Sequence, residues 1–263
     1  FDSKSSTTTA AQGKCQESRN SFFAFFLPPN WNVERMGLPP TRNNDFTFWE
    51  WSRHAHYADA TQLDANKPHF YWQAGVTKEE RETPLETWSF VSQDLPSFSS
   101  PHPTFICPIP AEQKGIQCRF GERGVTTATH YDGGQNMVGM IEGAKRYILH
   151  PPKECSKLGI VTSRNSAIFR HSLLNFAHLT HPPRNGMSRQ AQQWLNRAGH
   201  SLAVETVLKA GEILFIPSHW FHYIIGLQKN AQCNVRSGVD IEGDEEFGGA
   251  RHVSEWECDP RLR

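Results

Sequence analysis

Residues 125–152 read VTTATHYDGGQNMVGMIEGAKRYILHPP, and the chemistry of the chain is concentrated in this stretch. In an extended strand alternate side chains share a face, so His130 and Asp132, two apart, point the same way. One imidazole and one carboxylate on one face are two legs of a metal site. A third leg is available far downstream in residues 216–222, IPSHWFH, a Pro-bounded apolar stretch of the type that ends a buried strand. Two His and one carboxylate leave half of an octahedron open, the facial arrangement of non-haem Fe(II) sites.

An H-x-D alone carries little weight in a chain with 13 His, and its surroundings supply the rest. Apolar residues 137–141 are followed by Gly143, Lys145 and a strand-like run ending in Pro151 and Pro152. Together these features resemble the JmjC and cupin-like 2-oxoglutarate oxygenases. That family's pattern is a threonine, two residues, H-x-D, an asparagine, then a lysine on the strand after a Gly turn. Thr127, His130, Asp132, Asn136 and Lys145 stand at those places, with Lys145 fifteen residues after His130 as in the asparaginyl hydroxylases of hypoxia-inducible factor.

The resemblance implies a mainly β fold with flanking helices, a double-stranded β-helix or jelly-roll. It implies Fe(II) held by His130, Asp132 and His222, with 2-oxoglutarate as co-substrate and O2 as oxidant. His219 rivals His222 for the third leg, and the family's Pro-x-x-Trp-x-His pattern selects His222. Lys145 is expected to pair with the distal carboxylate of 2-oxoglutarate, with Thr127, Asn136 and Tyr71 adding hydrogen bonds to the same molecule. Tyr71 lies in an aromatic run, residues 68–74, that also suits an ordinary core strand. One departure is Asn234-Val-Arg236, where many JmjC domains carry Asn-Val-Asn; Arg236 could meet the co-substrate, the substrate or the barrel wall.

The implied reaction is hydroxylation of an unactivated C–H bond, on a protein side chain by preference, with release of succinate and CO2. Aspartate at position 132, where many of the family's demethylases carry glutamate, favours stable hydroxylation over methyl removal. Alternatives are an RNA-modifying or small-molecule oxygenase, a lysine demethylase of the histone type, or a non-catalytic binding domain on the same scaffold.

At 263 residues the chain suits one large β domain. Lys+Arg 27 balance Asp+Glu 27, so no global charge favours nucleic acid, and no segment reaches the apolar length of a membrane span, which leaves a soluble chain as the expectation. Phe1 in place of an initiator Met is consistent with a targeting segment already removed. Six Cys neither demand nor exclude an oxidising compartment; Cys107 and Cys118 flank Pro and Gly residues and could face each other across a hairpin.

Taken in order, residues 1–19 read as a disordered or chain-edge segment and 20–263 as one JmjC-type domain. Within it, 20–115 are N-terminal flanking elements, 116–238 the barrel with an insert at 155–204, and 239–263 a tail too short for a dimerising helical pair, so a monomer is expected. A helix is expected over 55–63 with Asp45 as a candidate N-cap, a second over 83–94, a strand near 105–107, and a third helix over 188–198 opened by Ser188. Four strands are expected before the insert (116–120, 126–132, 136–142, 145–149) and four after it (202–208, 212–216, 220–227, 232–237), the count of a jelly-roll.

The neutral total conceals an uneven insert. Between Glu154 and Glu205 there is no Asp or Glu, while Lys157, Arg164, Arg170, Arg184, Arg189 and Arg197 add positive charge. A solvated face usually mixes signs. The insert is therefore expected to form a wall for an acidic or phosphorylated protein or peptide, with pairing to the acidic residues of 240–246 as the alternative.

Overall fold

The computed structural model describes residues 13–23, 41–75, 115–162, 168–183, 186–238 and 258. Twelve strands run β1 (Lys14–Ser18), β2 (Phe22–Phe23), β3 (Thr41–Asn44), β4 (His69–Gly75), β5 (Ile116–Gly121), β6 (Thr126–His130), β7 (Gln135–Glu142), β8 (Ala144–His150), β9 (Val204–Lys209), β10 (Ile213–Ile216), β11 (Phe221–Gly226) and β12 (Asn230–Ser237). The two longer helices are α1 (Phe48–Ala60) and α2 (Arg189–Gly199).

One sheet has seven strands in the order β10-β7-β12-β5-β4-β1-β3, and the other has five in the order β2-β6-β11-β8-β9. Strands β5 to β12 supply four neighbours to each sheet, which is the jelly-roll. β4, β1 and β3 widen the first sheet, and β2 joins the second in parallel with β6. The tight β7–β8 turn depends on Gly143, at φ +76, because a Cβ there would run into the Lys229 carbonyl oxygen.

Apolar residues from both sheets meet between them. Val138 and Met140 of β7 pack with Tyr147 and Leu149 of β8, Leu208 of β9 and Ile216 of β10. The Tyr147 hydroxyl, fully buried, donates to Gln232 Oε1 at 2.6 Å, so its burial leaves no unmet polar group.

Three expectations change. β1 lies within residues 1–19, with Cys15 buried, so the ordered sheet starts earlier than expected. The first helix starts at Phe48, not 55, and its cap is Thr47, not Asp45. Glu50 N–H donates to Thr47 Oγ1, and Thr47 N–H donates to Glu50 Oε2, a reciprocal capping box that Asp45, two residues too early, cannot form. Trp51 and Ala55, one turn apart, then bury against Cys15 and Phe70. Third, Cys118 is bonded to Cys233 across β5 and β12, so it is not available to Cys107. A second disulfide joins Cys155 to Cys258. α2 keeps its expected cap, the Ser188 hydroxyl accepting from Ala191 N–H.

The expected helix at 83–94, the strand near 105–107, Cys107, Arg164, Arg184 and the acidic residues of 240–246 fall outside the described residues. Among the described residues, no helix is long and apolar enough to cross a membrane.

Candidate metal centre

The β6–β11 pairing decides which side chains reach the barrel interior. His222 stands opposite His130 and Ile224 opposite Thr127, so residues 128 and 129 face Tyr223 alone. This is a β-bulge on β6. In a regular strand Thr127 and His130, three apart, would lie on opposite faces; the extra residue brings both to one face. That face is the interior, because Leu149 and Tyr147 stand opposite His222 and Ile224 on β8 and pack with Val138 and Met140 of the other sheet.

Asp132 lies just past the end of β6 rather than on the strand. Its carbonyl accepts the His219 N–H at 2.9 Å, which ties it to the loop before β11. The ligand atoms of His130, Asp132 and His222 all lie within 4.8 Å of one another. His219 is not part of this group. It sits at φ 64, buried, with its ring 6.0 Å from that of Tyr131.

The two histidines of this cluster are oriented alike. His130 Nδ1 is 2.8 Å from the Ala128 carbonyl and His222 Nδ1 is 3.1 Å from the Trp220 carbonyl, so each Nδ1–H donates to the backbone and each Nε2 keeps its lone pair. Burial, with smaller contributions from His222 and His171, holds His130 well below the usual imidazole range, and burial also lowers His222. Both are thus neutral, the form a metal requires. Burial alone would raise the Asp132 carboxyl, but Arg236, His222, His130 and Arg119 outweigh it and hold the group well below the ordinary carboxylate range. Two neutral nitrogens and one carboxylate oxygen make a donor set that fits a divalent first-row ion.

Deeper in the barrel Lys145 is buried, its Nζ 5.6 Å from the centroid of the Tyr71 ring. Burial, with Arg119 nearby, pushes the ammonium down to about 7. Among the described residues no carboxylate pairs with it. Burial also raises the Tyr71 phenol to about 12, so it stays a hydroxyl donor. Asn136 is buried opposite Arg236 with its Oδ1 lacking a hydrogen bond, and Asn234 Nδ2 is likewise buried without one. The buried Lys145 cation and the unmet Asn234 N–H donor are costly when left alone and suit a small anion, while the unmet Asn136 oxygen calls for a donor.

The sequence reading gave no role to Arg119, Asn234 or His171. Arg119 donates to Asn234 Oδ1 at 3.3 Å and to Gln117 Oε1 at 2.9 Å. The usable signal was polar residues at alternate positions, Gln117 and Arg119 on β5 and Gln232, Asn234 and Arg236 on β12, an inverted pattern for strands lining a core. His171 stacks on His130 with centroids 4.9 Å apart and planes 5° from parallel, and the insert backbone bridges to β6 at that point. No spacing within the insert announces this contact. Arg236 itself meets Asp132, its Nη2 3.0 Å from Oδ2.

Comparison with known proteins places the chain. It is 28% identical over 135 residues to HSPB1-associated protein 1 homolog of Danio rerio, covering 50% of this chain and 26% of that protein. It is 27% identical over 128 residues to HSPB1-associated protein 1 of Homo sapiens, 48% of this chain and 23% of that one. It is 26% identical over 117 residues to tRNA wybutosine-synthesizing protein 5 of Danio rerio, 44% of this chain and 31% of that one. The chain therefore spans about a quarter to a third of the length of these relatives. Among solved structures, Escherichia coli YcfD overlays with a TM-score of 0.42 at 10% identity, covering 87% of this chain and 42% of that one. A YcfD ribosomal oxygenase complex with cobalt and 2-oxoglutarate overlays at 0.39 and 9% identity, covering 86% and 40%. The profile of the cupin-like domain matches residues 43–236. That match runs from within β3 to the penultimate residue of β12 and contains all three clustered ligand residues, and the chain belongs to the cupin-like domain family.

Proposed function

We propose that this chain is an Fe(II)- and 2-oxoglutarate-dependent oxygenase that hydroxylates an unactivated C–H bond, with a protein side chain as the favoured target and succinate and CO2 as co-products. The observation that carries the reading is one barrel holding both a two-histidine, one-carboxylate cluster and a buried lysine with no carboxylate partner among the described residues. Bound iron, with 2-oxoglutarate and O2, would supply oxidising power that no side chain here possesses.

The chain's own part is to bind, orient and exclude. His130 and His222 offer Nε2, Asp132 offers its carboxylate, and this set leaves three positions for other ligands. The Lys145 ammonium pairs with the distal carboxylate of the co-substrate, where the barrel wall keeps competing water out. The Thr127 and Tyr71 hydroxyls and the Asn136 amide contribute hydrogen bonds to the same molecule, and the unmet Asn234 amide offers one more. Val138, Met140 and Leu149 supply the apolar lining.

A protein target is in line with the association carried in the relatives' name, HSPB1-associated protein; the tRNA wybutosine-synthesizing relative makes RNA the competing target. An acidic or phosphorylated protein is favoured by the insert. Lys157 is neutralised by Glu154 at 2.7 Å, but the Arg170 guanidinium lies over the Tyr131 ring at 5.8 Å, between the first two ligand residues in sequence. The deciding experiment supplies Fe(II), 2-oxoglutarate and O2 with a peptide pool, a phosphopeptide pool or bulk tRNA, and measures succinate and added mass of one oxygen atom. Succinate no greater than in a His130→Ala/Asp132→Ala double variant under every condition would overturn the reading.

A further inference from the structure

Asp132 Oδ2 has two suitors. It lies 3.7 Å from His222 Nε2, the side on which a bound ion would sit, and 3.0 Å from Arg236 Nη2. The oxygen itself is buried and the Asp132 backbone is tied to His219, which holds the carboxylate between these two partners. Arg236 is placed by its strand. It stands opposite Asn136 on β7, two residues after Asn234, which accepts from Arg119, and four after Gln232, which accepts from Tyr147. β12 thus holds its inward side chains in a row of contacts that ends on the metal-side carboxylate.

We infer that Arg236 is a positioning residue that holds Asp132 in the ligand geometry before an ion arrives, and that its guanidinium lowers the affinity of the site by competing with that ion for the same carboxylate oxygen. The inference rests on the proposed metal-binding role of His130, Asp132 and His222. A guanidinium on Oδ2 neutralises a carboxylate that would otherwise be buried alone, which is costly. Once a divalent ion is present the same guanidinium becomes a nearby like charge in a medium that screens poorly. The two effects have opposite signs for the empty and the loaded protein, and a side chain that merely fills the wall would produce neither.

The test uses the full chain stripped of metal. Co(II) is titrated and followed by its visible absorption, and the melting temperature of the metal-free protein is measured for wild type, Arg236→Gln, Arg236→Lys and His130→Ala. Arg236→Gln is expected to bind Co(II) roughly tenfold more tightly than wild type, about the effect of one partly screened charge, while melting at a lower temperature when metal-free. Arg236→Lys, which keeps the charge, should stay near wild type in affinity. Equal or weaker Co(II) binding by Arg236→Gln overturns the inference and leaves the metal site standing. No Co(II) binding by wild type, or unchanged binding by His130→Ala, overturns the metal site and this inference with it. Should Arg236→Gln not fold, the side-chain nitrogen resonances of Arg236 in the wild type decide: a shift on Zn(II) loading supports the inference, and unchanged resonances overturn it.

Discussion

The ammonium of Lys145 lies 5.6 Å from the centroid of the Tyr71 ring, although the two residues come from different sheets, β8 and β4. The contact brings a cation and a phenol together across the barrel interior with no carboxylate paired to the cation among the described residues, and it makes the protein's response to pH specific.

With the Lys145 ammonium pushed from 10.5 down to about 7, the ligand-free folded protein releases this proton well before the unfolded chain does. Between about 7 and 10.5 the unfolded chain binds more protons, so this group makes stability rise with pH across that window; below about 7 both forms are protonated and its slope vanishes. Binding of a dianion has the opposite trend. Affinity for 2-oxoglutarate should fall by up to about tenfold per pH unit above neutrality as the cation is lost, with proton uptake visible by calorimetry in buffers of different ionisation enthalpy. Lys145→Met should remove both trends; if it retains them, the titrating group lies elsewhere.

His130→Ala and Asp132→Ala should each weaken divalent-metal binding by more than a hundredfold while leaving the far-ultraviolet circular dichroism of the barrel intact, because the core between the sheets does not include either side chain. Metal analysis after dialysis reads the first part and the spectrum reads the second. Full metal content in either variant would remove that residue from the ligand set.

Asp132 as the carboxylate ligand predicts a stable hydroxylated product. Formaldehyde, measured alongside succinate on a trimethyl-lysine peptide, should stay at background. Stoichiometric formaldehyde would reassign the reaction as demethylation.

Much of this arrangement was legible in the chain. The eight barrel strands, the insert between β8 and β9 and the Ser188 cap follow from residue spacing and turn residues, while the grouping of His222, rather than His219, with His130 and Asp132 was implied by the family resemblance. What was not legible has local physical causes. The Thr127 to His130 spacing works only because β6 bulges, and a bulge leaves no mark in a run of threonine and alanine. The Thr47–Glu50 capping box was present in the sequence but was masked by Asp45, an equally good cap type two residues earlier. The Arg236–Asp132 contact joins residues more than a hundred apart through the closure of the sheet, and no periodicity within one segment can encode it.

The disulfides give a stability prediction. Cys118–Cys233 and Cys155–Cys258 close loops spanning 115 and 103 residues, so each constrains the unfolded chain strongly. Cys118→Ser/Cys233→Ser should lose about 2–4 kcal/mol in chemical denaturation, the range typical of such cross-links. Cys15, buried and with its thiol pushed up to about 12, should resist alkylation in the folded protein.

The Cys118–Cys233 bond also lies directly behind the polar interior of the barrel. Both cysteines are flanked in sequence by inward-facing residues, Arg119 beside Cys118 and Gln232 and Asn234 beside Cys233, so the same two strands carry a buried sulfur bridge on their other face and a polar lining inward. Such bonds persist where thiols are kept oxidised. A ferrous centre working there would need its electron supply to be selective: a reductant that returns iron to the ferrous state while leaving a protein disulfide, one strand's thickness away, intact. Small one-electron donors would meet that demand outright, whereas a dithiol would be held off only by the burial of both cysteines, so burial of the bridge would do part of the work of redox selectivity.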